Sequence, residues 1–127
     1  MILTFPNPNK SNEDFLFTNN QFVNSKNSNE KYKVLEYSEN FEGWSDNLTK
    51  LFDDYIGDNH PIDVASRELC VQLINKYSKA TKNIIFEIGC SSGNLINLIK
   101  KKINNYIYVG SDVVKEPIYK LSKKYEN

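Results

Sequence analysis

Between Ile84 and Asp112 the chain carries an apolar run that ends in an acid, a glycine turn, an amphipathic stretch, a second apolar run and a second acid. Residues in that order can build a buried strand, a tight turn, a crossover helix and a parallel strand, so the segment describes one βαβ nucleotide-binding unit. The first run is Ile84-Ile85-Phe86-Glu87-Ile88, the turn is Gly89-Cys90-Ser91-Ser92-Gly93, and the second run, Tyr106 to Gly110, leads to Ser111 and Asp112. The glycine spacing narrows the ligand. A dinucleotide fingerprint needs glycine at its first, third and sixth positions, because a diphosphate must approach the backbone over the helix start. Counted from Gly89 those positions hold Gly89, Ser91 and Asn94, so two of the three fail.

Bulk properties remove several classes of function. At 127 residues the chain has room for one small domain. Lys plus Arg and Asp plus Glu are 16 each, so no net field draws it to nucleic acid or an anionic membrane. Arg67 is the only arginine, which weakens any phosphate-gripping reading. No apolar stretch approaches a membrane span, and the Met1 to Pro6 start lacks the basic flank and length of a signal peptide. A soluble, cytoplasmic protein is expected. Cys70 and Cys90 fall in different elements without metal-ligand spacing, so neither a metal site nor a structural disulfide is expected.

Three stretches follow one another. Residues 1–32 are rich in Asn, Ser and Lys, with Phe and Leu at no usable period, and read as a flexible or irregular segment. Residues 33–80 read as an N-terminal helical cap, opened by a Lys33 to Tyr37 run that is either a strand or an ordered lead-in. Leu48, Leu51, Phe52, Tyr55 and Ile56 form one apolar helical face, with Ser45 or Asp46 able to cap it and Gly57 to end it. Pro61 suits the first position of a second helix running to about Ser78, with Ile62, Ala65, Leu69, Leu73 and Tyr77 on its packed side and Asp63, Glu68 and Lys76 in water. Residues 81–127 hold the βαβ unit, whose first strand should be buried on both faces. Its crossover helix, Asn94 to about Lys102, should turn Leu95, Leu98 and Ile99 to the sheet, and the Lys100-Lys101-Lys102 run complements its dipole. A last helix begins around Pro117.

The acid two residues before Gly89 and the second glycine four residues after it form an E-x-G-x-x-x-G arrangement, which resembles motif I of the class I S-adenosylmethionine (SAM) methyltransferases. The resemblance runs from about Tyr37 to Tyr125 and is densest from Asn83 to Tyr119. It takes in Trp44, the Asp58-Asn59-His60-Pro61 turn and Asp63 to Arg67, which precede motif I as in bacterial methyltransferases whose N-terminal helices cap the cofactor cleft. It implies an α/β fold: a partial Rossmann-like, doubly wound parallel sheet, the first βαβ unit of a class I methyltransferase, preceded by N-terminal helices. It also implies SAM as cofactor, bound by Glu87, Gly89, Cys90, Ser91, Gly93 and Asp112. SAM has no phosphate, so its site wants close backbone approach and acceptors more than basic side chains. Gly89 and Gly93 would let the turn pass beneath the ligand, the next helix start would face its carboxylate, and Asp112 would accept the ribose hydroxyls. Glu87 would reach the ammonium through water. Ser91 stands where the family commonly has a glycine.

The family sheet has seven strands, and this sequence ends one helix after the second. The expectation is therefore an amino-terminal, truncated methyltransferase that is inactive alone and has a missing C-terminal half as a possible partner. The methyl acceptor is expected to be a small molecule, with no nucleic acid and no membrane involved. No catalytic residue is assigned: His60 is more simply a helix-starting turn than a general base, and Cys90 a small buried turn residue. Two other readings remain open, a non-catalytic remnant that binds a partner chain through its sheet edges and an NAD-type oxidoreductase fragment.

Overall fold

The structure, a computed structural model, describes residues 2–37, 43, 45–56, 59–78 and 83–125. Trp44 and the Gly57-Asp58 half of the expected turn lie outside the described residues. The chain divides into two compact units, Met1–Phe41 with Ser122–Asn127, and Glu42–Leu121.

The first unit overturns the irregular reading of residues 1–32. Strands β1 (Leu3–Phe5), β2 (Phe15–Thr18), β3 (Gln21–Asn24) and β4 (Lys31–Tyr32) form an antiparallel sheet in sequence order. Asn19 and Asn20 close the β2–β3 hairpin with φ of 50° and 58°, the double left-handed geometry of a two-residue type I′ turn, which asparagine tolerates better than most side chains. The register sets Phe5 opposite Phe15, Phe17 opposite Phe22 and Phe22 opposite Tyr32, so alternate residues put their rings on one face. Phe5 and Phe22 meet edge to face with centroids 5.1 Å apart, and Phe15 meets Tyr32 at 5.6 Å. Beside them the buried Asn24 side chain organises the β3–β4 loop. Its Oδ1 accepts from the amides of Lys26 (2.9 Å) and Asn27 (3.2 Å), while its Nδ2 donates to Glu13 and Glu30. The Lys33 to Tyr37 run is not a strand; Tyr37 instead donates its hydroxyl to the Pro6 carbonyl at 2.9 Å.

The second unit holds α1 (Asp46–Tyr55), α2 (Pro61–Tyr77), β5 (Asn83–Ile88), α3 (Asn94–Lys102), β6 (Tyr106–Ser111) and the start of α4 (Lys115–Lys124). Local signals set the helix starts. Ser45 caps α1 by accepting from the Leu48 amide, and Pro61 stands in the first turn of α2. β5 and β6 pair in parallel from Asn83↔Tyr106 to Ile88↔Ser111, with α3 as the crossover. The buried stripe of that segment is Ile96, Ile99 and Ile103, with Leu95 and Leu98 only half-buried. Lys102 at its end donates to Glu68 of α2 at 2.7 Å, so Glu68 is not left to water alone.

The doubly wound parallel sheet is not what the chain builds. Among the described residues a four-stranded antiparallel sheet stands apart from a single parallel pair, with four helices. A doubly wound sheet requires further parallel strands flanking β5 and β6, whereas the described N-terminal strands pair only with one another, antiparallel, through links too short for a parallel crossover. Facing also departs from expectation. β5 is not buried on both sides: Phe86 is 57% and Ile88 81% exposed. On α1 it is Thr49 that is buried, and on α2 it is Val71, while Leu51, Tyr55, Ile62, Leu69 and Tyr77 face outward. α2 carries apolar residues on more than one side, and the Val71 side is the one that packs.

Candidate functional site

Parallel pairing brings the carboxyl ends of β5 and β6 level, and the turn after β5 is clamped to the end of β6. The amides of Gly89 and Cys90 both donate to the Ser111 carbonyl, at 2.8 and 3.0 Å, and the Ser111 hydroxyl donates back to the Glu87 carbonyl at 3.2 Å. Asp112 completes the clamp. One carboxylate oxygen accepts from the Ser91 amide at 2.8 Å, and the other accepts from the Val114 amide at 2.9 Å, an Asx turn leading into α4. Glu87, Gly89, Cys90, Ser91, Gly93 and Asp112 therefore form one cluster. Asp112 has a structural duty there, yet each of its oxygens keeps a further acceptor position.

Three alternate turn residues take left-handed backbone: Gly89 at φ 76°, Ser91 at φ 44° and Gly93 at φ 78°. Ser91 thus bears a strain that glycine would avoid, held by its bond to Asp112. The two glycines differ in what surrounds them. A Cβ on Gly89 would meet nothing within 4 Å, so the backbone there faces open space. One on Gly93 would lie 2.4 Å from the Leu121 side chain, so that glycine serves the approach of α4 rather than that of a ligand. Gly93 is also the N-cap of α3 and supplies no side-chain acceptor to the helix amides.

The electrostatics are those of a half-buried acidic cluster. Burial raises the Glu87 carboxyl above its ordinary range and Asp112 adds to the rise, while a hydrogen bond donated by the Tyr108 hydroxyl acts against it. Burial first, then the nearby Glu87 and Asp112, push the Cys90 thiol up to about 12. It is protonated at neutral pH and inert as a nucleophile, in keeping with a buried turn residue.

Two members of this environment are absent from the motif pattern. Tyr108 lies on β6 four residues before Asp112, and its reach to Glu87 depends on a strand register that sequence alone does not provide. Asp53 of α1 accepts a hydrogen bond from the Ser92 hydroxyl, tying that helix to the glycine turn. No sequence signal marked it, because the apolar stripe of α1 pointed to Leu48, Leu51, Phe52, Tyr55 and Ile56 rather than to the Thr49 side as the packed face. His60 takes up its position at the start of α2, where its carbonyl accepts from the Val64 amide at 2.9 Å and its Nδ1 lies 3.7 Å from Asp63. No group of three or more potential metal ligands occurs among the described residues, and no described helix is long and apolar enough to cross a membrane. The chain matches no family model, no curated protein and no solved structure.

Proposed function

We propose that the cluster at the ends of β5 and β6 binds SAM and serves methyl transfer to a small-molecule acceptor. The observation that carries the reading is the conjunction of an open backbone at Gly89, an uncapped helix start at α3 and two carboxylates, Glu87 and Asp112, around one turn. The donor set fits this ligand. The helix amides suit the methionine carboxylate, Glu87 the ammonium, and the spare acceptor positions of Asp112 the ribose diol. Bound SAM would supply a sulfonium-activated methyl group open to in-line attack, which the protein assists chiefly by alignment. Cys70 and Cys90 are both free thiols, which favours the cytoplasm.

Calorimetry on the 127-residue chain tests the reading, with S-adenosylhomocysteine expected to bind and NAD not. Asp112→Ala should lose about 1.5–3 kcal/mol of that binding, because two hydroxyls lose a charged acceptor. Tighter binding of NAD, or no binding of either, overturns it. A second reading, a surface that docks a partner chain, is favoured by the outward Phe86 and Ile88.

A further inference from the structure

We infer that Tyr108 is a positioning residue of this site: its hydroxyl holds the Glu87 carboxylate in place to receive the ammonium of an amino-acid-tailed ligand. The inference rests on the SAM reading and adds to it a residue outside the motif.

The geometry begins with strand parity. Ile85 is level with Tyr108 and Glu87 with Gly110, so Glu87, Tyr108 and Gly110 share one face of the parallel pair. Tyr108 and Glu87 are then diagonal neighbours, and what stands between them is Gly110. A Cβ at Gly110 would lie 3.1 Å from both the Tyr108 ring edge and its hydroxyl, and 3.0 Å from the Cys90 sulfur. The missing side chain is the space through which the ring leans to bring its hydroxyl onto Glu87 Oε2.

That bond fixes the carboxylate's rotation and leaves Oε1 for a second donor. Burial, with Glu87 alongside, raises the Tyr108 hydroxyl far above its ordinary range, so it remains protonated and acts as a donor. The titratable groups facing Glu87 are Tyr108 and Asp112 from β6 and its end, and Cys90 from the turn. None of these is a cation, so an ammonium on the ligand would meet the Glu87 carboxylate without a competing protein cation among the described residues.

The test compares S-adenosylhomocysteine with 5′-methylthioadenosine, which keeps the adenosine and thioether but lacks the amino-acid tail. Tyr108→Phe keeps the ring and removes the hydroxyl. In the 127-residue chain it should weaken S-adenosylhomocysteine about tenfold and leave 5′-methylthioadenosine within about twofold. Gly110→Ala, which pushes the ring away from Glu87, should show the same selectivity. Affinity for S-adenosylhomocysteine should rise with pH as Glu87 ionises, and in Tyr108→Phe that rise should move to higher pH, because the bond favouring the carboxylate is gone. Equal losses for both ligands, or no loss for either, mean that Tyr108 only fills space, and the inference is overturned while the SAM reading stands. If the unaltered chain binds neither ligand, the SAM reading fails and this inference fails with it.

Discussion

In the N-terminal sheet the strands turn their aromatic residues to one face, where Phe15 and Phe22 are buried and Phe5, Phe17 and Tyr32 lie against them. In the second unit, by contrast, large apolar side chains of α1, α2 and β5 point outward. The difference follows from how each kind of sheet closes. An antiparallel meander sets each strand beside the next, here through a two-residue turn at Asn19-Asn20 and longer links on either side, and cross-strand pairs cover each other on one face. A parallel pair has to be covered on both faces by other elements. Here Ile96, Ile99 and Ile103 are buried along the crossover segment, while Phe86 and Ile88 of β5 stay open. Cross-strand closure and chemical content are thus divided: the aromatic sheet carries no motif that the sequence reading recognised, and the unit with Glu87, Gly89 and Asp112 leaves large apolar side chains of α1, α2 and β5 uncovered.

The largest expected effect lies in the first unit. Phe15 is 1% exposed, and truncating it to alanine removes the ring that packs on Tyr32, at a cost of about 3–5 kcal/mol. Hydrogen exchange should then show loss of protection in β1 to β4 while β5 and β6 keep theirs. Loss of protection in β5 and β6 as well would make the two units one cooperative system and break the comparison.

Next in size is a contrast within the glycine turn. Gly93→Ala adds a Cβ that collides with Leu121 and forces alanine into left-handed backbone, together about 3 kcal/mol. Gly89→Ala carries only the backbone strain, about 1 kcal/mol, because the space beside it is open. Denaturant unfolding should rank them in that order, while S-adenosylhomocysteine binding should suffer from the Gly89 change even where the fold survives. The reverse ranking would mean that Leu121 moves aside, and unchanged S-adenosylhomocysteine binding in Gly89→Ala would count against the proposed approach of that ligand at Gly89.

Legibility followed the range of the interaction. Ser45 and Pro61 announce helix starts within one turn of sequence, and both do so in the fold. That Glu87, Gly89 and Asp112 come together was legible because a βαβ unit sets their spacing along one short stretch. The N-terminal sheet was not, although Leu3 and Phe5, Phe15 and Phe17, and Phe22 and Asn24 do alternate. Each window is only a few residues long, and the Asn19-Asn20 turn lacks the glycine that usually marks such hairpins. The facing of α2 was illegible for another reason: Val71 and Ile74 compete with Leu69, Leu73 and Tyr77, and only tertiary packing decides between them. Tyr108 depended on register across two strands, which no single-strand pattern carries.

The smallest expected effect on stability tests the open side of the comparison. Leu69 is 54% and Tyr77 66% exposed, so replacing both with glutamine removes apolar area that the folded chain leaves in water. Unfolding free energy should stay within about 0.5 kcal/mol of the unaltered chain, as for surface substitutions generally. The response should appear in association instead. Apolar side chains left uncovered favour contact between molecules, so sedimentation at increasing concentration should show less self-association for the double variant. If the substitutions instead destabilise the monomer by about 2 kcal/mol or more, the outward face of α2 is buried within the folded chain in solution. The second unit would then be as closed as the first, and the contrast between a self-covering sheet and an open one would have to be withdrawn.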